Sequence, residues 1–200
     1  LGDINVFALF TELAVNASSS LGMAGLIIPT GLVTDQTLRE FFNYLVEHER
    51  LVSVIGFENE EFLFAGIANV VRYCALSVSG YRRKHERPRF SFYIRNASQL
   101  LEEDRYFYLS KADIAELNPN SKTCPIFRTR FDADLTLSLH RRFSILRRDG
   151  VGFNAWDISF LRMFDMANDS HLFFPEPGLD RLPLYEAKLF WHYDHRFGSY

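Results

Sequence analysis

Met23-Ala24-Gly25-Leu26-Ile27-Ile28-Pro29-Thr30-Gly31 is a short apolar run ended by Pro-Thr-Gly. It reads as a buried strand whose carboxyl end opens into a loop, and ligands of open α/β sheets sit at such ends. A helix-like run, beginning Ile4-Asn5-Val6-Phe7-Ala8-Leu9-Phe10, leads into it. A second helix and a second apolar run follow. This order predicts an α/β chain, the second half of a doubly wound sheet. The first half, on this reading, lies outside the 200 residues; the start at Leu1, with no signal-peptide pattern, is read the same way.

Outward from the strand, Val6, Phe10, Leu13, Ala14 and Ala17 share one helical face and are expected inward. Thr34 is expected to cap the next helix, with Asp35 in its first turn and Leu38, Phe41, Phe42, Leu45 and Val46 on its apolar side. Leu51–Phe57 and Val70–Val78 read as strands, the latter rich in β-branched and aromatic residues. Phe57-Glu58-Asn59-Glu60-Glu61-Phe62 between them is acidic and turn-like.

Residues 79–89 carry Gly, Pro and charge without periodicity, so the boundary between two regions, 1–80 and 81–200, is placed there. Beyond it, Phe90–Ile94 and Tyr106–Leu109 read as extended. Ser110 opens a helix with Asp113 at capping-box spacing, and Asn118-Pro119-Asn120 stops it. Phe131–Arg142 reads as a helix turning Leu135 and Leu139 inward. Phe143–Leu146 and Leu184–Phe197 read as strands.

The net charge of -3 gives no global nucleic-acid signal. Locally, Arg82-Arg83-Lys84-His85-Glu86-Arg87-Pro88-Arg89, His140-Arg141-Arg142 and Arg147-Arg148 are basic. Such runs are solvated loops in most proteins, yet three of them leave room for a phosphate-facing surface. Cys74 and Cys124 are too few for a disulfide framework and lack metal-ligand spacing, which points to a reducing compartment and no metal. No segment is long and apolar enough to span a membrane.

Taken together, these blocks resemble the adenine-specific N6 DNA methyltransferases of the gamma-ordered, restriction-associated (type IIG-like) kind. The matching elements are Asn5-Val6-Phe7, then Phe10, then Ile27-Ile28-Pro29-Thr30; Phe57-Glu58-Asn59 followed by Phe62-Leu63-Phe64; and Arg72-Tyr73-Cys74. Later blocks are Leu117-Asn118-Pro119-Asn120-Ser121-Lys122-Thr123 with Pro125-Ile126-Phe127-Arg128, then Met163-Phe164-Asp165-Met166 with Asn168-Asp169-Ser170, then Leu184-Tyr185-Glu186-Ala187-Lys188 with Asp194-His195-Arg196-Phe197. Their order matches the family's.

The resemblance implies the back half of a Rossmann-like methyltransferase sheet over 1–80, then a connector and the start of a target-recognition region. It implies S-adenosylmethionine as cofactor, with Phe10, Val6 and Pro29 at its adenine ring. It implies that Phe64, or Phe62 beside it, stacks on a target adenine turned out of the duplex. The family usually has Pro after that aromatic, where this chain has Ala65. Arg82, Arg83, Arg141, Arg142, Lys188 and Arg196 are the candidates for DNA-backbone contact. The compartment implied is the cytoplasm of a bacterium or archaeon.

The Gly-rich cofactor turn and the Asn-Pro-Pro-aromatic tetrapeptide are absent from these residues. The resemblance therefore predicts that the chain alone does not methylate DNA and needs the remainder of its parent chain. It also predicts self-association through Phe7, Phe41 and Leu45. Asn118-Pro119-Asn120 lacks the second Pro and the aromatic and reads as a turn. Two alternatives stand beside this reading. One is a non-enzymatic DNA-binding module. The other is a Mg²⁺-dependent nuclease using Asp180, Glu186 and Lys188. His192 and His195 would point to opposite faces of a strand and make a poor metal site.

Overall fold

The computed structural model describes residues 5–150, 154–184 and 186–198. The expected helix start at Ile4, and Tyr185 in the last block, lie outside the described residues. The chain forms two compact units, one ending at Ile158 and one beginning at Ser159.

The first unit is a mixed α/β structure built on one five-stranded sheet. Its strands are β1 (Met23–Pro29), β2 (Leu51–Glu58), β3 (Arg72–Ser79), β4 (Arg89–Ile94) and β5 (Phe107–Tyr108). They lie in the order β1-β3-β2-β4-β5. β3 runs against both β1 and β2, β4 runs parallel to β2, and β5 runs against β4. The sheet is therefore mixed, not all-parallel. Residues 79–89, read from the sequence as a linker, connect β3 to β4 within it.

One row of partners crosses the sheet: Leu26 faces Leu76, Leu76 faces Val54, and Val54 faces Phe90. The last three are fully buried and anchor the core. Helices α1 (Val6–Ala17), α2 (Gly31–Thr34) and α3 (Arg39–Glu47) carry further core residues: Val15, Leu32, Val33, Phe42 and Leu45. Cys74 and Cys124 are buried free thiols, and burial pushes Cys74 up to about 12.

The rotation of α1 differs from expectation. Val6, Phe10 and Leu13 are exposed together with Leu9, while Thr11 and Val15 are buried and Phe7 and Ala8 pack on the core. The helix is apolar almost all round, so periodicity finds a stripe without saying which side meets the sheet. Arg50 settles it: its guanidinium donates to the Val15 carbonyl at 2.9 Å. Leu45, expected at an exposed self-association surface, is fully buried, and Phe7 and Phe41 are partly buried against the core.

Thr34 does not cap the following helix. It ends α2, and its hydroxyl donates back to the Thr30 carbonyl at 3.2 Å. The apolar side of α3 is as expected.

Helix α5 (Arg130–Arg142) also turns differently: Ala133 and Leu137 are buried and Leu135 and Leu139 are exposed. Arg130, Ala133, Leu137 and Arg141 share one helical face. Arg130 donates to the Tyr106 carbonyl and Arg141 to the Asp113 carboxylate, and these contacts fix the roll. Residues 143–146 form no strand. In the second unit, 184–197 hold a short 3₁₀ turn, Ala187–Leu189, and an isolated Trp191–Asp194 bridge in place of the expected strand. No helix among the described residues is long and apolar enough to cross a membrane.

The capping box at Ser110 is complete and opens α4 (Lys111–Leu117). Burial pushes the Asp113 carboxyl up, but the Ser110 N–H, its hydroxyl and the Arg141 guanidinium outweigh that and hold it below its ordinary value. A lowered carboxyl contributes stability above the unfolded value and loses it as pH falls through the folded one. Asp113→Asn should therefore cost about 1 kcal/mol at pH 7. The difference from the parent should shrink below the ordinary carboxyl value of 3.8. Urea unfolding at pH 7 and in acid measures both.

Candidate functional site

β1, β2 and β4 run in one direction, so their carboxyl ends share an edge with the start of β3. Pro29, Glu58 and Ile94 close those three strands, and Arg72 opens β3. This is the edge at which open sheets hold ligands.

Glu58 is buried there, with Arg95 Nε at 3.0 Å from one oxygen and Arg72 Nη2 at 3.3 Å from the other. Arg95 also pairs with Glu60 at 3.0 Å. The hydrogen bond to Glu58, with Glu60 behind it, raises the Arg95 guanidinium above its ordinary value. The first turn beyond β2 is thereby tied to the end of β4.

Asn59 comes next and is fully buried. Its Nδ2 donates to the carbonyls of Phe64 at 3.1 Å and Ile67 at 2.9 Å, and its Oδ1 accepts from the Phe64 N–H at 3.0 Å. Phe62 turns the loop with a left-handed backbone, φ 51°. The Phe64 ring meets Tyr73 edge-on at 4.7 Å, and Tyr73 stacks on Phe57 at 5.2 Å. One side of Phe64 is thus backed by two aromatic layers, while the residue stays 37% exposed. The Tyr73 hydroxyl is buried without a partner, and burial raises its pKa.

At the same sheet edge lies an open cleft of about 470 Å³, with Phe7, Pro29, Val70 and Ile126 among its lining and Arg72 and Asp35 its charged residues. Thr30 lines it, and the Thr30 hydroxyl is a second buried group without a partner. The lining is mixed, with Asn5, Thr34, Asp35 and Arg72 beside the apolar residues, and the cleft is widely open to solvent.

The expected site residues divide as follows. Phe64 and Pro29 stand at the shared edge. Phe62 is there too, but more exposed. Val6 and Phe10 do not line the cleft; Asn5 and Phe7 do, because α1 is rolled as described.

Among the basic candidates, Arg82, Arg83 and Arg142 are exposed. Arg141 is engaged by Asp113 at 2.6 Å. Arg142 lines a second cleft of about 320 Å³ with His140 and Arg148. Lys188 and Arg196 belong to the second unit, where Lys188 pairs with Glu186 at 3.1 Å. No group of three or more His, Cys, Asp or Glu residues fit to hold a metal occurs among the described residues. Asn118 ends α4 and donates to the Thr123 carbonyl at 3.0 Å, a structural turn. The residues missed from sequence are Asn59, as a clamp on the loop, and the unpartnered hydroxyls of Thr30 and Tyr73. A scan against protein-family models and a search of curated proteins gave no match to this chain.

Proposed function

We propose that this chain is part of an S-adenosylmethionine-dependent DNA methyltransferase acting on the N6 amine of adenine in duplex DNA, within a restriction–modification system. The observation that carries the reading is the half-exposed Phe64 ring at the carboxyl edge of the sheet, backed by Tyr73 and Phe57. A base leaving the duplex loses its stacking, and an aromatic platform returns part of it. Phe64 is that platform.

S-adenosylmethionine, when bound, supplies the methyl group. Its adenine end would sit in the open cleft at the same edge, against Pro29 and Phe7. Phe7 takes the place that the resemblance gave to Phe10. The outer side of β1 adds support. Among the described residues β1 pairs only with β3, and α1 leaves Val6, Leu9, Phe10 and Leu13 exposed. The remainder of a parent fold would cover both. Arg82 and Arg83 follow the end of β3, at the sheet edge opposite Phe64, so a duplex held at Phe64 would draw its phosphate contacts from other residues.

The test is binding of duplexes with and without a bulged adenine, followed by fluorescence anisotropy. The parent chain should prefer the bulged duplex, and Phe64→Ala should weaken that binding about tenfold, the scale of one base–aromatic stack. Equal binding of both duplexes, or a preference untouched by Phe64→Ala, overturns the reading. Salt-sensitive binding that ignores both the bulge and the cofactor would mark a DNA-binding module instead.

A further inference from the structure

We infer that Asn59 is a positioning residue: its buried amide holds the Phe64 ring at the sheet edge. The purpose of that ring rests on the function proposed above; the clamp itself does not.

An Asn in a turn ordinarily bonds backbone about two residues on. Asn59 instead reaches residues five and eight positions ahead and uses both faces of its amide. The two bonds to Phe64, one to its N–H and one to its carbonyl, fix that residue's backbone on both sides. The bond to Ile67 draws the far limb of the loop onto the same amide. Asn59 is itself fully buried and follows Glu58, which Arg72 and Arg95 pair with. On the other side Tyr73 meets the ring edge-on.

The ring is therefore bracketed by an amide clamp and an aromatic wall before any ligand arrives. A platform ordered in advance avoids the entropy of ordering it on binding. Two backbone bonds assist, Phe62 N–H to the Asn59 carbonyl and Ile67 N–H to the Phe64 carbonyl, each at 3.0 Å, while the side chains of Phe62, Leu63 and Ile67 are exposed.

The experiment uses the full chain carrying Phe64→Trp as a reporter, with the signal of Trp156 and Trp191 subtracted using the chain without that change. Asn59→Ala and Asn59→Asp are each added to it. Acrylamide quenching and anisotropy of the new indole are read well below the melting temperature, then again with the bulged-adenine duplex. Asn59→Ala should free the indole, with its anisotropy falling towards that of an open loop. It should also weaken the duplex-dependent change about tenfold, or about 1.4 kcal/mol.

Asn59→Asp keeps an acceptor for the Phe64 N–H but sets its second oxygen against the Phe64 and Ile67 carbonyls, so this near-isosteric change should free the indole at least as far as Asn59→Ala. An indole freed in both variants while the far-ultraviolet circular dichroism stays native is what a general structural role would not produce. An indole equally protected in all three proteins overturns the inference. If the indole is freed but the duplex changes no spectrum, the clamp stands and the base-stacking reading fails.

Discussion

Gly80→Ala should lower the melting temperature by about 10 °C, the equivalent of about 3 kcal/mol in a domain of this size. A Cβ on Gly80 would lie 2.0 Å from the Ser19 carbonyl oxygen and 2.5 Å from that of Ser20. Both are backbone atoms, so no side-chain rotation relieves the overlap. The same place is a hydrogen-bonded junction. Gly80 N–H donates to the Gly22 carbonyl at 2.9 Å, and Arg82 N–H donates to the Ser20 carbonyl at 2.9 Å. Pushing the strands apart breaks both bonds as well as the contact. Gly56→Ala is a useful comparison, since the nearest atoms to its Cβ would be those of the Phe92 ring, at 2.3 Å. A side chain can move where backbone cannot, so this variant should lose less. Circular-dichroism melts of the two variants test the order; a Gly80→Ala protein as stable as its parent would contradict the geometry.

Arg50→Met is the second large effect, expected at about 2–6 kcal/mol, the cost of two buried carbonyls left unpaired. Arg50 is buried with only 6% of its surface exposed. Its guanidinium donates to the carbonyls of Val15 and Ser79, each at 2.9 Å, and to the Tyr44 hydroxyl at 3.2 Å. It therefore joins α1, α3 and β3 through one side chain. Methionine has similar length and no donors, so two buried carbonyls would lose their partners. Arg50→Lys offers a point charge instead of a planar fork and should recover only part of the loss. Chemical denaturation of the three proteins gives the series. Equal stability of all three would show that the carbonyls find water instead.

The strands were legible because each is a short apolar run between breakers, and all four long ones lie within two residues of their expected bounds. The capping box at Ser110 was legible for a similar reason: its partners are three residues apart and need no tertiary context. The roll of α1 and α5 was not. In α5, Leu135 and Leu139 share the same four-residue spacing as Ala133 and Leu137, and only contacts from distant residues choose between the pairs.

The site divides along the same line. Phe64 and Pro29 follow from strand ends and block order. Asn59 appears in the sequence as one polar residue of an acidic turn. Its role depends on where the backbone of Phe64 and Ile67 returns, which no local pattern encodes. Phe7 displaced Phe10 at the cleft through the roll of one helix.

The two cysteines have a practical consequence. Both are inaccessible, Cys74 with 0% and Cys124 with 3% of its surface exposed, and burial pushes both thiols above their ordinary range. Maleimides react with accessible thiolate, and the folded protein offers none from these residues. A dye or spin label can therefore be directed to a cysteine introduced on the Phe64 loop or along α1 with both natural thiols left in place.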